Sequence, residues 1–188
     1  MNLPSNHSPI LSNIWGTLGR GVVDAKHDWH WPVLGTVKNT VAGPISCSRV
    51  VVLRAFSTAK RLIEIHSDSR AEKIIELESR QASLLFYDRR SRMQLRIQAS
   101  AEVAINNAIS QAAWAKLPEF GRTQYLGCDA PGSPLPQHRS DGITPHFAVI
   151  QLTIETIDWL LLAREGHQRI RFVWNQLSQN FEANDLVP

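Results

Sequence analysis

Cysteine is nearly absent: Cys47 and Cys128 are the only two in 188 residues. They show no metal-ligand spacing, and one pair of thiols cannot build the disulfide framework of a small secreted domain. No apolar run approaches the ~20 residues that a membrane helix needs. The N-terminus, "MNLPSNHSPILSNIWG", has no basic head followed by an apolar stretch, so no secretory signal is expected there. Blocks of like charge are missing too, which argues against a nucleic-acid tail. These absences point to a soluble protein in a reducing, cytoplasmic setting, with neither membrane nor nucleic acid as a partner.

Lysine is scarce. Five lysines stand against fifteen arginines, and the net charge is +3. The planar fork of arginine suits bidentate contact with phosphate or carboxylate. There is no G-x-G-x-x-G after a strand, no Walker A loop and no G-x-S-x-G elbow. Of the seven histidines, His27 and His30 are close in sequence, but no further ligand follows at recognisable spacing. No metal site is expected.

What is present is a supply of β-branched residues in short runs between turn signals. Hydrophobic residues make up 43% of the chain, enough for a real core, and residues 1–188 are expected to form one domain. An N-terminal helix is expected over about 9–25, and strands over 33–37, 45–54 and 61–66. Ser69 and Glu72 fit a capping box for a helix over 70–79, with Ile74, Ile75 and Leu77 as its apolar face. Two alternating strands, 82–87 and 93–104, follow, joined by "RRSR". "NNAISQAAWAKLPEF" reads as a helix capped at Asn106 or Asn107 and stopped by Pro118. Residues 121–145 form a long Gly/Pro-rich loop. Two strands around a bend near 155–158, then a last strand from Arg169, make a C-terminal hairpin over about 147–175. The expected fold is mainly β (α+β), an antiparallel barrel whose closure removes strand edges, with a few flanking helices.

Three stretches carry residues of chemical interest. "RVVVLR" (49–54) sets Arg49 and Arg54 at the ends of an apolar run, where a guanidinium costs desolvation unless an anion meets it. "HSDSRAEK" (66–73) ends a strand and starts a helix, and a helix start suits phosphate, with Ser67, Ser69 and Lys73 as added donors. Gln94 opens a strand after a basic turn, and Trp159, His167 and Arg169 gather around the last turn.

In this order the pieces resemble the FMN-binding split barrels of the pyridoxamine 5'-phosphate oxidase family. "SRVVVLRAF" resembles the family's Arg-Val-Val-Leu-Leu-Lys strand, and "IHSDSRAEK" its phosphate segment. "ASLLFYDRRSRMQLRIQASAEV" resembles its strand–turn–strand, and "IDWLLLAREGHQRIRF" with the ending "DLVP" resembles its C-terminal Trp…His-x-Arg hairpin. The resemblance covers about residues 30–104 and 147–188.

The resemblance implies FMN as cofactor and a homodimer with FMN at its interface. Arg49 would contact the phosphate or ribityl region, while Val50, Val51, Val52 and Leu53 would run along the flavin. Arg54 would lie near flavin and substrate. His66 and Ser67 match a Tyr-Thr pair, Lys73 the phosphate lysine and Gln94 the ring-contacting glutamine. Trp159 and Arg169 would come from the second subunit. Glu72 stands where the family has an arginine, which makes Arg70 the candidate replacement. Glu165-Gly166-His167 keeps only the histidine of the family's Arg-x-His substrate motif. Arg54, Arg122, Tyr125 and His167 are the substrate-binding candidates. The expected function is an FMN-dependent oxidoreductase acting on a small substrate. The alternatives are a genuine pyridoxamine/pyridoxine 5'-phosphate oxidase and a non-catalytic flavin- or haem-related binding module.

Overall fold

The computed structural model describes residues 7–135, 142 and 144–188. Nine strands form one antiparallel system: β1 (Val33–Thr40), β2 (Gly43–Val50), β3 (Leu53–Ser57), β4 (Leu62–Asp68), β5 (Gln81–Asp88), β6 (Met93–Ile105), β7 (Phe147–Leu161), β8 (Gln168–Asn175) and β9 (Asn180–Leu186). Four α-helices accompany them: α1 (His7–Val23), α2 (Glu72–Glu76), α3 (Ala108–Lys116) and α4 (Glu119–Thr123). The strand order is β2-β1-β5-β6-β7-β4-β3, with β8 added on β7 and β9 on β8. This is an antiparallel split barrel. Among the described residues, no helix is long and apolar enough to cross a membrane.

β7 causes the split. One edge pairs with β6 along nearly its whole length, from Met93↔Leu161 to Ile105↔Ala148. The other edge is shared: β4 takes Phe147–Thr153 and β8 takes Thr156–Leu161. The register shifts between Gln98↔Thr156 and Ala99↔Ile154, which leaves Glu155 as the extra residue of a bulge. The two strands expected here are therefore one strand, bent at that bulge.

Alternate residues fill the barrel. Leu34, Leu84, Leu95, Ile97, Ile150, Leu152, Ile154 and Phe172 are all fully buried. α1 closes one end with Leu11, Ile14 and Leu18, spaced to share a helix face. It runs over 7–23 rather than 9–25. Near its end, a Cβ on Gly21 would meet the Trp29 carbonyl oxygen at 3.0 Å, so any side chain there would push the two segments apart by a few tenths of an ångström. His30 Nδ1 lies 2.6 Å from the Gly21 carbonyl oxygen, and Trp29 is buried beside them.

Several expectations are corrected. "RVVVLR" is not one strand: β2 ends at Val50, Val51 N–H donates to the Pro32 carbonyl at 2.9 Å, and β3 begins at Leu53. The reason is topological, since β2 pairs with β1 whereas β3 pairs with β4. The capping box also fails. Ala71 is the N-cap of α2, without a side-chain bond, and Asp68 Oδ1 accepts the Arg70 N–H at 2.8 Å instead. α2 is short, and a 3-10 turn, Leu77–Ser79, follows it and ends at Arg80 with φ 58°. Leu77 is buried, but Ile75 is 67% exposed. α4 and β9 are elements the sequence reading does not name. The α3 cap at Asn107 is as expected, with Ser110 answering it in a capping box. The expected loop over 121–145 falls partly outside the described residues.

One buried carboxylate ties three strands together. Asp158 on β7 accepts from Arg169 Nε at 3.0 Å and Nη2 at 2.9 Å, both on β8. Arg96 on β6 adds a 2.9 Å bond, and Arg171 reaches 3.4 Å. The Asp158 side chain is 8% exposed, whereas Arg96 and Arg171 are nearly half exposed. Removing the anion leaves three guanidinium groups facing one another. Asp158→Asn should cost about 3 kcal/mol in urea denaturation, and Arg171→Ala under ~1 kcal/mol. An Asp158→Asn loss no larger than that of Arg171→Ala would show that the cluster does not hold these strands.

Candidate functional site

Two clusters of polar side chains lie on opposite faces of β4. Alternation sends Ser67 to one face and His66 to the other.

On the Ser67 side, α2 packs over β1 and β2. Leu34 pairs with Arg49 and Thr36 with Cys47, which sets Arg49 beside Thr36 on one face. Arg49 Nη2 donates to Glu76 Oε2 at 2.6 Å, and its Nη1 to the Thr36 hydroxyl. Thr36 in turn donates to the same Glu76 oxygen at 2.5 Å. Burial alone would raise the Glu76 carboxyl, but the bonds from Thr36 and Arg49 outweigh it and hold it below its ordinary range. One helical turn earlier, Lys73 donates to Ser67 Oγ at 3.2 Å. Burial, then the Arg49 charge, push the Lys73 ammonium below its ordinary pKa. Two cations, Arg49 and Lys73, thus share one carboxylate. Such a surplus of donors and positive charge receives anions.

On the His66 side lie Arg54, Tyr125, Phe147 and Trp114. The His66 ring sits edge-on to Phe147, with centroids 4.9 Å apart, and its Nδ1 is buried without a partner. Burial, then the Arg54 charge, lower its pKa to about 4. Tyr125 packs on Phe147 at 4.9 Å. Burial raises its hydroxyl pKa, and the neighbouring Arg54 opposes that shift. Arg54 itself is exposed.

Several expected site residues are engaged elsewhere. Arg70 grips both Asp68 oxygens, Nε at 3.1 Å and Nη2 at 2.8 Å. Its Nη1 donates to the Cys128 carbonyl at 2.9 Å, and the carbonyls of Gly127 and Asp129 lie 3.0 Å from Nη2. It clamps the loop at 127–129 to the end of β4. Arg122 donates to the Trp114 and Ala115 carbonyls at 3.2 and 3.0 Å, capping the end of α3. Trp159 is buried, with Nε1 donating to Met93 Sδ at 2.8 Å, so β7 turns it inward. Arg169 faces outward but is held by Asp158. His167 is exposed in the β7–β8 turn. In the apolar run, Val50 is 61% exposed, whereas Val51 and Leu53 are buried. Gln94 pairs with Tyr87 and Leu160 on the outer face.

Thr36 and Glu76 are the site residues that the sequence reading missed. Glu76 carries a faint signal, because it stands one helical turn after Lys73.

Residues 14–105 match the family model described as the FMN-binding domain of pyridoxamine 5'-phosphate oxidase. This segment is a member of that FMN-binding domain family. The fold agrees over nearly the whole chain. A pyridoxamine 5'-phosphate oxidase-related, FMN binding protein from Nostoc punctiforme superposes with a TM-score of 0.76 at 22% identity, covering 96% of this chain and 97% of its own. PhzG from Burkholderia lata, solved with tetrahydrophenazine-1-carboxylic acid, gives 0.71 at 16% identity, covering 98% and 94%. A Clostridium acetobutylicum protein related to general stress protein 26 gives 0.52 at 14% identity, covering 85% and 91%. No curated protein gives a significant match. Arg49, Arg54, His66, Ser67, Lys73 and Gln94 lie inside the matched FMN-binding domain, whereas Tyr125, Trp159, His167 and Arg169 lie beyond it.

His66 gives the domain a pH signature. Its folded pKa of about 4 lies below the ordinary 6.5, so the unfolded chain binds this proton more readily. Its contribution is complete above pH ~6.5 and declines as the pH falls toward ~4. The carboxylates Asp68, Glu76 and Asp158, all held below their ordinary range, lose theirs only in more acid solution. Between pH 7 and pH 5 the wild-type protein should lose about 1–2 kcal/mol in urea denaturation, and His66→Gln should abolish most of that loss. Equal losses in both proteins would count against a neutral, buried His66.

Proposed function

We propose that this chain is an FMN-dependent oxidoreductase acting on a small anionic substrate, as a homodimer with FMN at the interface. The observation that carries the reading is the pair Arg49 and Lys73 facing a single carboxylate. Lys73 is partly buried, its ammonium depressed by the neighbouring guanidinium, and its one hydrogen bond among the described residues goes to Ser67. A flavin phosphate fits that deficit: it brings negative charge and acceptor oxygens to donors that lack them.

In this reading Arg49, Lys73 and Ser67 hold the phosphate. Val50, Val51 and Val52 run along the flavin through their main chain, and Gln94 reaches its ring. When bound, the isoalloxazine ring supplies the two-electron redox chemistry. The chain positions the reactants and keeps water away. Arg54 and Tyr125 receive the anionic group of the substrate. His66 stays neutral above pH ~4, so the wall beside Arg54 carries no second positive charge. Its bare Nδ1 can exchange a hydrogen bond with substrate.

Purified protein should show flavin absorbance with about one FMN per chain. Arg49→Ala and Lys73→Ala should each weaken FMN by about tenfold or more, since bonds to a charged group contribute about 1.5–3 kcal/mol. A colourless protein that takes up no added FMN would refute the reading, as would unchanged affinity in both variants. Sedimentation of the FMN-loaded protein should give a dimer.

A further inference from the structure

We infer that Glu76 is the internal counter-ion that flavin phosphate displaces from Arg49, and that it limits how strongly the chain prefers FMN to riboflavin. The inference rests on the phosphate-site reading above.

The geometry of Glu76 is one-sided. It is 5% exposed, at the last position of α2. Both of its donors, Thr36 and Arg49, use Oε2. Oε1 is buried and has no partner among the described residues. Buried carboxylates that serve only structure satisfy both oxygens, as Asp68 does with Arg70 and Asp158 with Arg169. Arg49 therefore gives the carboxylate only one N–H, with a second going to the Thr36 hydroxyl. A guanidinium has five N–H donors, so most of its capacity remains for another acceptor.

The charges favour replacement. Arg49 and Lys73 against Glu76 leave one net positive charge. A phosphate dianion overshoots that by one, and Glu76 would then repel it. The other charged groups nearby do not alter the balance. Lys38 pairs with Glu72 at 3.1 Å, and Asp68 is taken by Arg70. Cys47 lies near Glu76, with its thiol on the Ile45 carbonyl, and adds no positive charge. Neutralising Glu76 would match the cations to the phosphate. Riboflavin has no phosphate and would not respond to that charge.

Glu76→Gln tests this directly, because the amide keeps the shape and an acceptor oxygen for Thr36 and Arg49. Flavin fluorescence quenching on the full chain gives the affinity for FMN and for riboflavin separately. The variant should bind FMN about tenfold more tightly and riboflavin unchanged. Glu76→Met, neutral and of similar length, should shift the same ratio and guards against a folding defect in the first variant. Unchanged or weaker FMN binding in a folded variant overturns the inference. Parallel shifts in both flavins also overturn it, by showing that Glu76 only shapes the site. If the wild-type protein binds neither flavin, the phosphate-site reading falls, and this inference with it.

Discussion

Strand β7 has fifteen residues and two edges, one covered by β6 and the other shared by two strands. β4 and β8 divide it at the Glu155 bulge. The rest of the molecule follows from that division. β4 carries β3 on its far side, so the barrel continues along one half of β7. β8 and β9 continue along the other half, as a flap anchored by Asp158. The bulge bends β7 enough for both halves to hold their own partners, as an extra residue in an antiparallel ladder does.

The division also locates the chemistry. β4 ends at Asp68, close to where β7 begins, and the chain turns there into α2. Ser67 then faces Lys73 and Arg49, while His66 faces Arg54 and Tyr125. The first group has excess positive charge under a short helix. The second has one exposed cation against an aromatic wall, with a histidine kept neutral by burial. A phosphate suits the first environment. The second suits a smaller anionic group lying beside a planar ring. A single strand end thus separates the two environments by one residue of alternation.

Local pattern made much of this legible. The β5–β6 hairpin alternates cleanly, and α3 carries its cap at Asn107, so both can be read from sequence. Arg49, Ser67 and Lys73 could be grouped because a strand end, a hydroxyl and a helix start occur in order. What could not be read depends on partners remote in sequence. "RVVVLR" is apolar enough for a strand, yet its halves pair with β1 and β4, and no local signal marks the break. The Ser69–Glu72 spacing fits a capping box, but the helix starts two residues later, with Ala71 as its N-cap. Trp159 has the right neighbours for a ligand wall, while its inward direction is fixed by the register with β6 and β8. Thr36 entered the site only because β1 and β2 pair as they do.

Fifteen arginines and five lysines raise the question of which cations are free to bind a ligand. Sequence position does not answer it, but the form of each contact does. Arg70 and Arg169 hold carboxylates with two prongs, and Arg122 caps a helix. Each is fixed by a geometry that a ligand would have to break twice. Arg49 gives its carboxylate one N–H, on an oxygen that Thr36 already shares, and gives Thr36 another, beside a lysine bonded to a hydroxyl. Two-pronged arginines tie elements of this fold together. Arg49, with one N–H on its carboxylate and a second cation beside it, is the arginine whose partner an incoming phosphate would replace in the proposed site.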